Sequence, residues 1–597
     1  MSFFIKTALI FSLLLSVGCF SLQDLKSDLV LYKAKEIITF GDQQGDSVLV
    51  NGDVIIEVGD FTKLKRKHSQ KALMINTQFE DSVMVPGFIN QHDHPWLGAL
   101  TLTSQIISIE DWGLPSGFFP KATTPSEYHQ ALIEKINMHK NKDSLLLSWG
   151  YHGLWHGPLT RKMLDEMSEE IPIAIWHRSV HEFIVNTKAL ALFGIDKNVI
   201  NKLSVDQRNQ TNLAEGHFWE SGMLALSGKL FKHVLEPNQF MDGLYMLKHY
   251  WHSAGSTLVV EPGGLVNKNL SIMQNAVFSS NDNPFYMDYI VDGKTMALKH
   301  MSELLEKTAE IQTWGDGMSR YYPKQIKLFS DGAVFSQLMK MRDGYLDGHH
   351  GEWIMQPDLF KQAFSKYWDA GFQIHVHQNG DAGLDLILNT LDENIKRNPR
   401  HDHRTVIVHF SYSRLEQIKR IKELGAIVSV NPYYPVALAE KYSEVGVGPE
   451  RSHEMVRLGD LVNQGVSFSL HSDMPMAPGK PLYLMGYAVN RMTENGQVIA
   501  PEQTITPEQA LRAVTINAAY SIGLEKEIGS IEKGKQANIT MLESNPLTVA
   551  PLAIKDIKVE ATMHDGRVFM TSSGYPEVSL WQLINVYIKL AWFKLFD

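Results

Sequence analysis

The sequence predicts an α/β chain: a TIM-like (β/α)8 barrel carrying a small β-sandwich assembled from both chain ends. Three observations predict it. The short apolar runs QIKLFSDG, GFQIHVHQNGD, TVIVHFS, AIVSVNP and VSFSLHSD are each followed by a more polar, helix-length segment such as SRLEQIKRIKELG. That rhythm favours a parallel sheet over a sandwich. The chemically capable residues of these runs, Lys327, His377, His409 and Asp473, stand at or near the C-terminal ends, the face where a barrel gathers its active groups. Strand-rich segments also occur near both termini, DLVLYKAKEIITF and SVLVNGDVIIEVG at one end and ANITMLES and IKVEATMHDGRVFM at the other. A doubly wound sheet shares the rhythm but needs a glycine-rich nucleotide loop, and no G-x-G-x-x-G follows a first strand.

Residues 1–18 read as an export signal. Lys6 precedes an apolar run from Thr7 to Val17 that is too short to span a bilayer, and Gly18 leads into Cys19. The ending resembles a bacterial lipoprotein signal, which implies a lipid on Cys19 and a periplasmic or membrane-anchored lipoprotein; Ser16 stands where such signals usually carry Leu or Val. Residues 25–86 and 529–572 form the composite β-domain, with hairpin turns at Asn51-Gly52-Asp53 and Asp565-Gly566. Residues 87–528 form the barrel, interrupted by an insertion around 110–250. The tail, 573–597, contains LWQLINVYIKLAWFKLF, shorter than the ~20 apolar residues of a spanning helix. It fits an amphipathic helix that makes a second membrane contact beside Cys19, or one that packs on the barrel or a second subunit.

Composition narrows the partners. With 597 residues, a formal charge of −10 and a pI near 6.2, the chain lacks the basic footprint of a nucleic-acid binder, and a small-molecule substrate is expected. A single cysteine rules out an intramolecular disulfide framework and thiolate metal sites. Any metal is therefore held by His, Asp, Glu or a modified Lys. The oligomeric state stays open.

In VPGFINQHDHPW, His92 and His94 share one side of an extended strand. Among 24 histidines, H-x-H arises by chance roughly once or twice, so the pair gains weight only from its company. That company is Lys327, His377, His409 and Asp473. The set resembles the amidohydrolase superfamily, in particular the family 3 branch of N-substituted formamide deformylases and D-aminoacylase relatives. The matching residues are MVPGFINQHDH, IKLFSDG, HQNGD where the family has H-A-I-G-D, VIVHFS and HSDMP. The likeness continues through ITPEQALRAVTINAAYSIGLEKEIGSIEKGKQANITML and covers nearly all of Asp28 to Met570.

The resemblance implies a metal-dependent hydrolase of amide-like, non-peptide C–N bonds. His92, His94 and Asp473 would hold one divalent ion, His377 and His409 a second, and a carbamylated Lys327 would bridge them. Zinc suits such ligands, and a metal-bound hydroxide would be the nucleophile. Asp473 would be the general base and acid, with His409 beside it in the catalytic set. One ion, with Lys327 as a structural or substrate-carboxylate contact, is the alternative to two. A lactone or other ester hydrolase on the same centre, or a non-catalytic ligand-binding barrel, are alternative functions; retention of all six ligands argues against the last.

For the pocket, His377 lies closer to its loop than His375 and is the expected ligand. Asp331 in FSDG either orients Lys327 or serves the turn, and the turn is favoured. AIWHRSVHEFIVNTKAL resembles a family segment with a pocket histidine, matching His181, Asn186 and Ala189-Leu190, while His177 and Arg178 read as a polar strand end. Trp149, with Trp155 and His152, is a candidate aromatic wall, and His471 a candidate substrate contact. FSQLMKMRDG departs from the family after IKLFSDG, as do Asn90 and Asn538, where Asp is usual.

Overall fold

Strands β1 (Phe88–Asn90), β2 (Ser256–Pro262), β3 (Tyr286–Asp292), β4 (Ser319–Phe329), β5 (Gln373–Gln378), β6 (Val406–His409), β7 (Ile427–Val430) and β8 (Phe468–Leu470) form one parallel sheet in chain order. The computed structural model describes residues 29–572 and 578–596, so Cys19 and the export signal lie outside the described residues. The sheet curls until its first and last strands meet. The Gln91 amide donates to Ser429 Oγ beyond β1 at 2.9 Å and to Ser469 Oγ at 2.7 Å. Beyond the strand ends, Asp473 N–H donates to the His92 carbonyl at 3.0 Å and His94 N–H to the Met474 carbonyl at 3.2 Å.

Alternation decides which side chains enter the curl. On β4, Ile326 and Leu328 point outward onto the helix Gly293–His300, where Gly293 allows them within 3 Å of a notional Cβ. Gln325, Lys327 and Phe329 therefore point inward. On β5, Ile374 and Val376 are fully buried while His375 and His377 share the other face. The helix Pro357–Asp369 before β5 starts on a proline and buries Phe360, Phe364, Tyr367 and Trp368 at i, i+4, i+7 and i+8. It stops at Gly371, whose φ of +78° suits glycine. Phe364→Ala would cost about 3–5 kcal/mol.

Two smaller sheets flank this core. One runs Val54–Gly59, Ser47–Asn51, Leu29–Lys33, Met74–Asn76. The other joins Glu36–Ile37 and Val83–Pro86 from the start of the chain to Ile539–Leu542, Val559–His564 and Arg567–Met570 from its end. Both expected hairpin turns are present, between Asn51 and Val54 and between His564 and Arg567. Val48, Val50 and Ile55 of the first sheet share one apolar cluster with Met84, Ile539 and Met563 of the second.

Between β1 and β2 the chain builds a six-stranded sheet from residues 105–219, then the helices Glu220–Val234 and Pro237–Ser253. The last helix, Leu580–Phe596, lies on Pro237–Ser253 and Lys268–Phe278; Gln582 bonds the Tyr245 hydroxyl, Tyr587 OH donates to Asn238 Oδ1 at 3.2 Å, and Val586 is buried. No helix among the described residues is long and apolar enough to cross a membrane.

Candidate metal centre

The strand ends bring the six predicted ligands to one place. His92 Nε2 and His94 Nε2 approach the same Asp473 oxygen, at 3.3 and 3.1 Å. These three residues each offer a ligand atom within 4.8 Å of the others. His409 Nδ1 lies 3.5 Å from the second Asp473 oxygen, and the His377 and His409 rings are 4.4 Å apart. His409 and Asp473 both have positive φ, 76° and 58°, a backbone strain of about 1–3 kcal/mol each that side chains fixed by function commonly carry.

The ring nitrogens are already sorted. Asn379 Nδ2 bonds His377 Nε2 at 2.9 Å, and His471 Nε2 bonds His409 Nδ1 at 3.1 Å while Ser429 Oγ holds the other His471 nitrogen at 2.7 Å. His377 and His409 are thus each oriented through one nitrogen and keep the other, as metal-binding imidazoles require. Burial, with the nearby Lys327 charge, holds His92 and His377 well below the usual imidazole range; burial and the neighbouring His377 do the same to His409. These are neutral, ligand-ready rings. His94 differs: burial pushes it down, but the Asp473 and Glu261 carboxylates outweigh that and lift it to about 9.

Lys327 is buried, and its Nζ has no hydrogen-bond partner among the described residues. Burial outweighs the attraction of Asp473 and Asp292 and lowers its ammonium to about 7. Gly263, φ +82°, lies flat on its stem, since a Cβ there would sit 2.7 Å from Lys327 Cγ. An orphaned buried amine facing converging imidazoles and a carboxylate fits a divalent-ion site.

All six candidate ligands line one cavity of about 160 Å³, whose other walls include Trp96, Leu97, Met223, Phe231 and Leu265. His181 lines it too, its Nδ1 2.8 Å from Glu220 Oε2. A sequence model described as "Amidohydrolase family" matches residues 272–570. The chain belongs to the amidohydrolase family. It is a metal-dependent hydrolase of carbon–nitrogen bonds. Among curated relatives, this amidohydrolase is 23% identical to the N-substituted formamide deformylase of Arthrobacter pascens, over 87% of this chain and 94% of that one. It is 22% identical to Protein LONG AFTER FAR-RED 3 of Arabidopsis thaliana, over 84% of each chain. Its fold is that of an uncharacterized metal-dependent hydrolase from Pyrococcus horikoshii, at TM-score 0.67 and 20% identity, covering 88% of this chain and 99% of that one.

Several expectations need correction. Trp149 is no pocket wall: it is fully buried, packed edge-on to Trp112 and under the Arg178 guanidinium at 4.9 Å. Trp155 and His152 also stand outside the cavity lining. His471 does not face substrate either; it lies beneath the ligands, stacked on His92 at 4.7 Å. Asp331 is more than turn chemistry and does not touch Lys327. Its carboxylate accepts the backbone N–H groups of Lys340, Asn379 and Gly380, bracing the loop after β4 against the loop after β5; burial, opposed by these donors, pushes it up to about 6. Asn186 caps the helix Thr187–Phe193. Arg178 does end its strand, but wholly buried. His375 sits a layer below His377, its Nε2 3.0 Å from Gln325 Oε1.

Glu261 and Glu220 were missed. Glu261 ends β2, in STLVVEP, and its Oε1 stands 3.5 Å from His94 Nδ1. An apolar run closing on an acid was the available signal. Glu220 opens a helix 39 positions after His181, and no local pattern links the two.

Proposed function

We propose that this amidohydrolase is an exported enzyme that cleaves a non-peptide amide bond with two divalent ions, zinc in the first instance, and a carbamylated Lys327. One observation carries the reading: a buried, unpartnered lysine amine stands among His92, His94, His377, His409 and Asp473. His92, His94 and Asp473 would hold one ion, and His377 and His409 the other. An amine lowered to about 7 is substantially neutral near neutral pH, and carbamylation makes it the anion that a pair of cations needs. A divalent ion bound there supplies a Lewis acid that polarises the scissile carbonyl and acidifies water.

The chain's own residues do the rest. Asp473 takes a proton from the attacking water and delivers it to the departing nitrogen. His471 keeps His409 in one orientation, and Glu261 does so for His94. Trp96, Leu97, Met223 and Phe231 line an apolar approach that excludes water from the reacting bond. His181, which the Glu220 carboxylate raises against the effect of burial, offers a ring nitrogen at the wall. The curled sheet serves as the catalytic (β/α)8 barrel, and the two terminal sheets as its composite β-domain.

The test is a screen of the metal-loaded protein against N-formyl compounds, N-acyl amino acids, cyclic amides and lactones, with metal analysis on the same sample. Turnover of amides at close to two ions per chain is expected. Turnover of lactones alone, or of nothing, would overturn the reading.

A further inference from the structure

We propose that the C-terminal helix Leu580–Phe596 is a docking surface for an anionic lipid bilayer. Among the described residues, Gln582, Val586 and Tyr587 seat it on the protein. Val586 is buried, and Gln582 and Tyr587 bond Tyr245 and Asn238 of the helix below. The opposite side carries Leu580, Ile584, Ile588 and Trp592 at i, i+4, i+8 and i+12, one continuous stripe. Trp581 stands beside it. Their exposures, 74% for Leu580, 69% for Trp581 and 58% for Ile588, are those of side chains facing outward.

Three features identify the occupant. The helix has two lysines and no acidic residue in a chain of net charge −10, so it is the kind of segment an anionic surface attracts. Trp581 and Trp592 have the amphipathic rings that settle at the headgroup level, on a helix of the kind that lies in the interface plane. A second copy is the poorer fit: 17 residues make a helix ~26 Å long and ~10 Å wide, a footprint of a few hundred Å² against the ~800 Å² per partner of a standard interface. The amidohydrolase match ends at residue 570, before the helix begins.

The seat also orients the molecule. The helix Lys268–Phe278 beneath it follows the loop that carries Leu265 into the active cavity. The helix Pro237–Ser253 follows the one that carries Met223, Leu224 and Phe231 there, and Leu224 is 39% exposed at that wall. A bilayer under the stripe lies on the flank where the apolar wall of the cavity is built.

The full chain is to be mixed with phosphatidylglycerol/phosphatidylethanolamine vesicles whose acyl chains carry bromine, and tryptophan quenching and co-sedimentation read together. Quenching is expected in the wild type and its loss in Trp581→Phe/Trp592→Phe, a readout independent of any N-terminal tether. Ile584→Glu/Ile588→Glu should weaken partitioning at least tenfold with the thermal midpoint unchanged. Equal quenching in the tryptophan variant would overturn the proposal. So would partitioning unaltered by the glutamates, or a wild-type dimer that those substitutions make monomeric without any vesicle binding.

Discussion

Replacing Arg178 by Met tests how the loop after Asp473 is held. The guanidinium is fully buried; it pairs with Glu110, donates to the Pro475 carbonyl at 3.0 Å and the Met476 carbonyl at 2.7 Å, and lies over Trp149 and Phe335 at 4.9 and 4.7 Å. Methionine keeps much of the volume but leaves Glu110 buried with only Ser108 Oγ and Trp112 Nε1 as its side-chain donors. Breaking a buried pair in this way costs about 3–5 kcal/mol. Glu110→Gln alone should also destabilise, and the Arg178→Met/Glu110→Gln double variant should recover about 2–3 kcal/mol of the sum as coupling. Catalysis should not recover with it, because both carbonyls still lack their donor and Asp473, three residues before Met476, is no longer held at its strained φ of 58°. A displacement of about 1 Å there is worth roughly 100-fold in kcat. Urea unfolding gives the coupling, and kcat on the best amide from the screen, at verified metal content, gives the second number. Full recovery of kcat in the double variant, or no stability loss in the single one, would refute the reasoning.

Asp473→Asn should lower kcat by roughly 10²–10⁴-fold, since an amide cannot shuttle the proton; unchanged turnover at equal fold content would remove Asp473 from that role. Lys327→Ala should drop the metal content from near two ions per chain towards one, with a short-chain carboxylic acid restoring part of the loss; an unchanged metal content would sink the bridged pair. Acid should destabilise the fold through buried histidines away from the centre: burial lowers His156 and His252 to about 4 and His564 to about 3. Each is neutral when folded and protonated when unfolded below about pH 6.5, so stability is lost as pH falls from there, by about 1.4 kcal/mol per pH unit per histidine, or about 4 for the three together. A thermal midpoint flat between pH 6.5 and 4.5 would contradict it.

The convergence of the candidate ligands was legible because a parallel strand ends where its apolar alternation ends, so His92, His94, Lys327, His377, His409 and Asp473 each stood near a boundary visible in the chain. Depth along a strand was legible too, and it separates His377 from His375. Neighbours across the sheet were not. His471 and Asp473 are two positions apart, yet one supports the ligand set from below and the other joins it, because the chain turns through a positive φ between them and the loop. Trp149 looked like a wall because aromatic composition cannot tell cavity lining from packing. What decides is Arg178, filling the space beside it from another strand. STLVVEP and YMDYIVD, the sequences of β2 and β3, are strand-like, but neither ends on a histidine or lysine that would mark it.

The seam between β1 and β8 gives the ligand set a place in the life of the chain. Asp93 accepts from Ser472 Oγ and from Met474 N–H, joining positions up to 381 residues apart, and the trio His92, His94 and Asp473 straddles that same junction. An ion bound there would be a clasp as well as a reagent: it would close a very long loop, and its affinity would add to folding stability because the unfolded chain has no such site. The clasp cannot form until Asp473, the last of its three residues, has been added to the chain. Activity that depends on the ion is thereby withheld from any chain that stops before Asp473.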